Sequence, residues 1–242
     1  SENKTIEFPI PKVVGYLGSL TFTKKASSFD NQSEILLAGA KFTLTHAPNC
    51  PCLNEDKTHN HHMATNQSYE AISTSSGTVT FNNIPSGHKY ILKETEAPSN
   101  YNPSTENYNV EVAYGVTTGG PNNGVVYNSI KNGNLKISKI VEGNRDYSGE
   151  FEFKLTVTYN NTTLTGNYNY TLYHASTKTE TSGSINLLND TFKLKDGDYI
   201  IIKGLPITSQ YEVKELTTNG YVVKNKINSG DRVTSATANC NN

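Results

Sequence analysis

The sequence predicts an all-β fold built from two tandem β-sandwich domains, and three observations carry that expectation. Short period-2 apolar runs, each closed by Gly, Asn or Pro, recur along the whole 242 residues. No segment carries a sustained helical period. A three-part pattern also occurs twice in the same order. It reads Leu20-x-Phe22-x-Lys24, Tyr90-x-Leu92-x-Glu94 and Val126-x-Asn128, then Leu135-x-Ile137-x-Lys139, Tyr211-x-Val213-x-Glu215 and Cys240-x-Asn242. Regular short strands with frequent turns make the expected sandwiches immunoglobulin-like.

The elements follow in order. Residues 1–18 hold Phe8-Pro-Ile-Pro-Lys and read as an extended lead-in. The first domain, 19–131, should carry strands at 20–25, 41–45, 78–81, 90–94, 109–113 and 125–130. Leu37-Ala-Gly-Ala, Ile84-Pro-Ser-Gly and Gly119-Gly-Pro-Asn-Asn-Gly supply turns, and a polar insertion spans about 46–75. Lys131-Asn-Gly-Asn134 marks the junction. The second domain, 132–242, should carry strands at 135–141, 150–159, 168–173, 191–194, 199–203, 211–215 and 233–240.

Composition excludes several functions. A formal charge of −1 gives no electrostatic case for nucleic acid or an anionic membrane. No apolar run is long enough to span a bilayer, and Ser-Glu-Asn-Lys at the start is not a signal peptide. A secreted protein would be represented here by its processed form or a fragment. The three cysteines, Cys50, Cys52 and Cys240, are too few for a disulfide framework. Glu94 and Glu215 fall in separate domains, so they are no paired glycosidase constellation. There is no nucleophile-elbow string and no phosphate-cradling loop. A turnover enzyme is not expected.

In a strand, residues two apart share a face. Lys24, Glu94 and Asn128 therefore point where their apolar neighbours point, into the core, and so do Lys139, Glu215 and Asn242. A buried Lys is costly unless neutral or paired. Lys25 and Lys136 are out of phase and should be solvated. Asn132 is the alternative to Asn128. In the second half Ala236, Ala238 and Cys240 form an apolar face that selects Asn242, and a bulge would select Asn239 instead.

The first half resembles the Cna B-type domains of Gram-positive surface proteins. The resemblance lies in Gly18-Ser-Leu-Thr-Phe-Thr-Lys24, Leu37-Ala-Gly-Ala-Lys-Phe42, Phe81-Asn-Asn-Ile-Pro-Ser-Gly87 and Tyr90-Ile-Leu-Lys-Glu-Thr-Glu-Ala-Pro98. Asn100-Tyr101 stands where that family usually has Gly-Tyr. The second half resembles the isopeptide-linkage domain of streptococcal-type backbone pilins. Its strings are Asn134-Leu-Lys-Ile-Ser-Lys-Ile-Val141, Phe151-Glu-Phe, Phe192-Lys-Leu-Lys-Asp-Gly197, Gly204-Leu-Pro206 and Tyr211-Glu-Val-Lys-Glu215. Both resemblances imply an autocatalytic isopeptide bond between Lys and Asn, with Glu as proton shuttle. Carried over, the cross-links are Lys24 to Asn128 with Glu94, and Lys139 to Asn242 with Glu215. The Asn128-Ser-Ile-Lys-Asn-Gly133 spacing fits the family's domain junction better with Asn128 than with Asn132.

The chemistry accounts for the residue types. Burial favours the neutral, nucleophilic amine and the protonated carboxyl that polarises the carboxamide. The resemblance implies a structural role: a shaft pilin in a covalent surface pilus, extracellular and on the cell wall. Its partners would be other pilin subunits, joined by sortase-made bonds outside this segment. A host-matrix-binding adhesin, at the tip or stalk, is the alternative. Lys12 is a weak candidate for a polymerisation lysine. Finally, His46, Cys50, Cys52, His59, His61, His62 and Met63 concentrate metal-type ligands in the insertion. Their spacing matches no zinc-finger pattern, so no metal or other cofactor is expected. His88 and His174 read as surface residues.

Overall fold

The computed structural model describes residues 17–48, 68–143, 149–217, 222, 224–226, 232–233 and 237–239. Their regular secondary structure is almost all strand, in two compact units. The first comprises residues 17–25, 36–98 and 103–127 among those described, and the second 26–35, 99–102 and the rest from 128 on.

The first unit contains strands β1 (Leu17–Ala26), β2 (Ile35–Leu36), β3 (Lys41–His46), β4 (Ser68–Ile72), β5 (Thr78–Pro85), β6 (Lys89–Glu96), β7 (Asn107–Glu111), β8 (Thr117–Gly119) and β9 (Val125–Asn128). One sheet is centred on β1, flanked by β2 and β5 and joined by β8 and β9; the other runs β4-β3-β6-β7. β1 alternates strictly, with Gly18, Leu20, Phe22, Lys24 and Ala26 facing inward. Leu20 and Phe22 meet Phe42, Leu44, Val79, Phe81, Tyr90, Leu92 and Val126 in one core, which places the two sheets face to face. The turn at 121–124 puts Asn122 and Asn123 at φ 51° and 57°, the left-handed region Asn tolerates.

The second unit contains β10 (Asn132–Ser138), β11 (Phe151–Tyr159), β12 (Thr162–Thr163), β13 (Asn167–His174), β14 (Thr179–Asn186), β15 (Phe192–Leu194), β16 (Tyr199–Pro206), β17 (Gln210–Glu215), β18 (Asn225–Lys226), β19 (Arg232–Val233) and β20 (Thr237–Asn239). One sheet runs β10-β16-β13-β14. The other runs β12-β11-β17-β20 with β15 on β11, and β18 and β19 form a separate hairpin. Phe151, Phe153, Leu155 and Val157 of β11 pack with Leu135, Ile137, Leu194, Ile200 and Ile202.

Residues 26–35 and 99–102 belong to this second core. Phe29 and Tyr101 pack against it. Asp30, at φ 52°, accepts hydrogen bonds from the Thr165 and Gly166 amides at 3.0 and 2.9 Å and from the Tyr168 hydroxyl at 2.8 Å. A Cβ at Gly166 would stand 3.1 Å from the Asp30 carboxylate, a tight approach that the glycine avoids. Burial, then this carboxylate, push the Tyr168 phenol well above its usual range.

Three differences from the sequence expectations have physical causes. Ser68–Ile72, expected within the inserted loop, is a strand on the edge of its sheet, paired with β3. Thr179–Asn186 is also an edge strand, paired with β13. Ser68–Ile72 alternates only between exposed and half-exposed positions, and Thr179–Asn186 is exposed over its first half with Ile185 alone buried, so neither shows the full apolar period of a strand facing a core. His88 is buried rather than on the surface, 5.4 Å from the His46 ring, and His46 stacks on Tyr90 at 5.0 Å.

Candidate functional site

In the first unit Lys24 and Glu94 are brought together across the core. β1 and β6 lie in opposite sheets, and the inward phase of each carries a charged residue, Lys24 on β1 and Glu94 on β6. Lys24 Nζ lies 3.6 Å from Glu94 Oε2, and both side chains are fully buried. Burial pushes the Lys24 amine down from its usual 10.5 to about 8, and Glu94 offsets part of that effect. At neutral pH about one amine in ten is then neutral, roughly 300 times the fraction at the ordinary pKa. The Phe42 ring lies 5.8 Å from Nζ and is itself fully buried. Glu94 is anchored from the chain beyond its own strand: the Ser104 N–H donates to Oε2 at 2.7 Å.

Asn128 closes β9, which pairs with β1, and it is buried beside Val126 in the same alternation. β8 runs parallel to β1 with Leu20 opposite Thr118. Further along, the Ser27 N–H donates to the Asn128 carbonyl. Hence β8 and then β9 line the edge of β1 away from β5. Asn132 is exposed, which removes it from the core. Lys25 falls on the opposite face of β1.

The second unit repeats half of this arrangement. Lys139 follows β10 directly and keeps its pairing, its N–H bonding the Asp198 carbonyl at 2.9 Å. Its Nζ donates to both oxygens of Glu215, at 2.9 and 3.1 Å, and sits 3.9 Å from the centre of the Phe151 ring. These side chains retain 12% and 6% of their exposure, against none for Lys24 and Glu94. Lys136 faces out and covers Tyr199 at 3.8 Å. Asn242 and Cys240, together with Lys12, Cys50, Cys52, His59, His61, His62 and Met63, lie outside the described residues. Asn239 is placed by its backbone opposite Gln210, five residues along β17 from Glu215. The described residues contain no group of three or more His, Cys, Asp or Glu able to hold a metal.

Three contributors escaped the sequence reading. The Ser104 amide reaches Glu94 from a loop ten residues on, a contact no local pattern encodes. Phe42 and Phe151 were legible as apolar residues, but only the crossing of the sheets makes them the floors of the two lysine sites.

Residues 18–119 match the prealbumin-like fold domain family called SpaA. This half is thus similar to SpaA-type domains. The match covers Lys24 and Glu94 and stops before Asn128. Residues 133–242 match a domain family of unknown function, DUF7601, which carries no activity with it. No curated protein matches the sequence. Among solved structures, the Bacillus anthracis TIE protein is 21% identical over 93% of this chain and 31% of its own, with a TM-score of 0.43. The major pilin SpaD of Corynebacterium diphtheriae is 17% identical over 82% and 62%, at 0.36. A mutant of the Streptococcus pyogenes major pilin is 19% identical over 93% and 91%, at 0.40. The chain thus spans about a third of the first and about three fifths of the second. The assignment of residues 18–119 rests on the family match and not on these likenesses. No helix among the described residues is long and apolar enough to cross a membrane.

Proposed function

We propose that the chain is part of a structural subunit, a shaft pilin, of a covalent surface pilus on a Gram-positive cell wall, and that the SpaA-like domain locks itself with an isopeptide bond between Lys24 and Asn128. One observation carries the reading: a fully buried amine with a depressed pKa stands beside a fully buried carboxyl, on a strand whose neighbour ends in a buried carboxamide.

The step balances without a cofactor. The neutral Lys24 Nζ attacks the Asn128 Cγ, and the carboxyl of Glu94 donates a hydrogen bond to the carboxamide oxygen. A C–N bond forms and the oxygen takes the negative charge. Glu94 then transfers the proton lost by Nζ to the departing Nδ2. The C–Nδ2 bond breaks and ammonia leaves, with Glu94 restored. Folding supplies the proximity, a contribution on the order of 7–11 kcal/mol for well-oriented groups. The reaction happens once per domain, so there is no turnover.

The bond would close a loop of about 100 residues, and by analogy with a disulfide the chain-entropy gain is about 4–5 kcal/mol. It also ties β1 to β9, near the ends of the domain in sequence, so tension applied through those ends loads a covalent bond rather than a hydrogen-bonded ladder. That property suits a fibre shaft. The cellular role is tested by probing wall extracts of the source cell with antibody to this chain. A ladder of polymers resistant to boiling detergent supports a shaft subunit, and a single monomeric wall species contradicts it.

A further inference from the structure

Glu94 has two reacting groups to serve, and burial alone does not decide which oxygen serves which. The last torsion of a glutamate side chain is broad and roughly two-fold, so a carboxyl enclosed by apolar residues could present either oxygen to the Lys24 amine. Here the connection between β6 and β7 makes the choice. The Ser104 N–H donates to Oε2 at 2.7 Å, the short end of the range for such bonds. Oε2 is also the oxygen that lies 3.6 Å from Lys24 Nζ. An oxygen that already accepts from an amide and faces an amine is the poorer seat for the acid proton. The neutral carboxyl therefore carries its proton on Oε1.

Residues 98–103 hold that amide in place. Asn100 turns the chain at φ 72°, in the left-handed region that Asn tolerates. Tyr101 is half-buried against the core that contains Ile130 and forms an antiparallel bridge with that residue. On either side of the bridge, the Lys131 N–H donates to the Asn100 carbonyl and the Asn102 N–H to the Ser129 carbonyl, both at 2.9 Å. The Asn102 side-chain amide adds bonds to Ser129 Oγ and the Ile130 carbonyl, at 3.1 and 3.4 Å. Pro98 and Pro103 bracket the stretch and fix φ at both ends. Beyond it, Ser104 Oγ lies 3.2 Å from the Tyr108 hydroxyl and accepts from the Glu106 N–H at 3.3 Å.

Ser129 is the residue after Asn128. A short path thus runs from the backbone of the acceptor to the acid: Asn128 and Ser129, across to Asn102, on through Pro103 to Ser104, and from its N–H to Glu94. The path sets the carboxyl relative to the carboxamide it must polarise, and nothing between its two ends takes part in making or breaking a bond.

We propose that Ser104 is a positioning residue for the reaction of Lys24 with Asn128, its amide holding the Glu94 carboxyl so that the two oxygens do different work. Oε1 donates to the carboxamide oxygen while Nζ attacks Cγ and the C–N bond forms. Oε2 then takes the proton that Nζ loses as Oε1 gives its own to Nδ2. The C–Nδ2 bond breaks, ammonia leaves, and Glu94 ends with one proton, as it began. This inference rests on the isopeptide reading above, and its test separates the two.

The experiment compares full-length chains that differ at one backbone atom. Each is made by cell-free synthesis, and loss of ammonia is followed by intact mass on samples that circular dichroism shows to be folded. Ser104→Ala keeps the N–H and should lose ammonia at the rate of the parent chain. Lactic acid in place of Ser104 supplies the same methyl side chain with an ester oxygen where the N–H was. That chain should react about 100-fold more slowly, the order of cost of a misplacement of about 1 Å. Ser104→Pro removes the same N–H by another route and should be equally slow, so the comparison stands on whichever of the two folds. Equal rates with and without the N–H overturn the proposal, because the amide then serves the fold alone. A Ser104→Ala chain as slow as the ester chain also overturns it, by placing the effect in the hydroxyl. A parent chain that loses no ammonia overturns the isopeptide reading instead.

Discussion

Asn128→Ala should leave Lys24 as a buried amine beside Glu94, and the stability of that variant should then rise with pH in a calculable way. In the unfolded chain the amine titrates near 10.5, and in the folded domain near 8. A base whose folded pKa is lowered is destabilising while it is charged in both states, below pH 8. That cost falls as pH climbs from 8 toward 10.5, because the unfolded state then binds more protons than the folded one. Between pH 7 and 9.5 the gain is about 2 kcal/mol, at 1.36 kcal/mol per pKa unit. Stopping at 9.5 keeps most unfolded tyrosines protonated, and the reference protein below shares those that ionise.

The assay is urea denaturation by far-UV circular dichroism at pH 7, 8, 9 and 9.5. Asn128→Ala combined with Lys24→Met serves as the reference, since every other titrating group is common to both proteins. The difference between the two should grow in favour of the amine-bearing variant by about 2 kcal/mol over that range. Parallel curves, or a difference shrinking with pH, would refute the claim that Lys24 is held near its neutral form by burial.

Other expectations follow from the same geometry. Glu94→Ala should fold but retain the ammonia that the parent chain loses, read by intact mass. Phe151→Ala removes a fully buried ring and should cost about 3–5 kcal/mol, measured by urea denaturation of the second unit. Asp30→Ala deprives two amides and the Tyr168 hydroxyl of their acceptor. It should speed hydrogen exchange at Thr165 and Gly166, with a loss of about 1–3 kcal/mol. Chelation should leave the melting temperature unchanged. A large fall, with metal found by elemental analysis, would contradict the expectation drawn from residues 46–63.

The all-β character and most core strands were legible because a strand with one face in a core writes its alternation into the sequence. β1, β6 and β11 are the clear cases, each alternating through most of its length. The edge strands at 68–72 and 179–186 were not legible, since few of their inward positions are apolar: Tyr69 and Ala71 on one and Ile185 on the other reach a core, and the remaining positions are polar or exposed. The same phase logic led to Lys24, Glu94 and Asn128, and to Lys139 and Glu215. It could not supply Asn239 or Asn242 with a strand direction. Parity tells which face a residue occupies, and only the antiparallel pairing of β20 with β17 tells which end of the sheet it reaches. The assignment of residues 26–35 to the second core was equally invisible, because Asp30 meets its partners more than a hundred residues away.

The most direct test of the central claim is the proteolytic map of the first unit in the unaltered chain. The account predicts one branched peptide in which Lys24 is joined to Asn128 with the loss of one ammonia, absent from Asn128→Ala and from Glu94→Ala. Recovery of Lys24 and Asn128 only in separate, linear peptides of full mass would show that the buried pair is an ordinary ion pair and that the domain is held by packing alone.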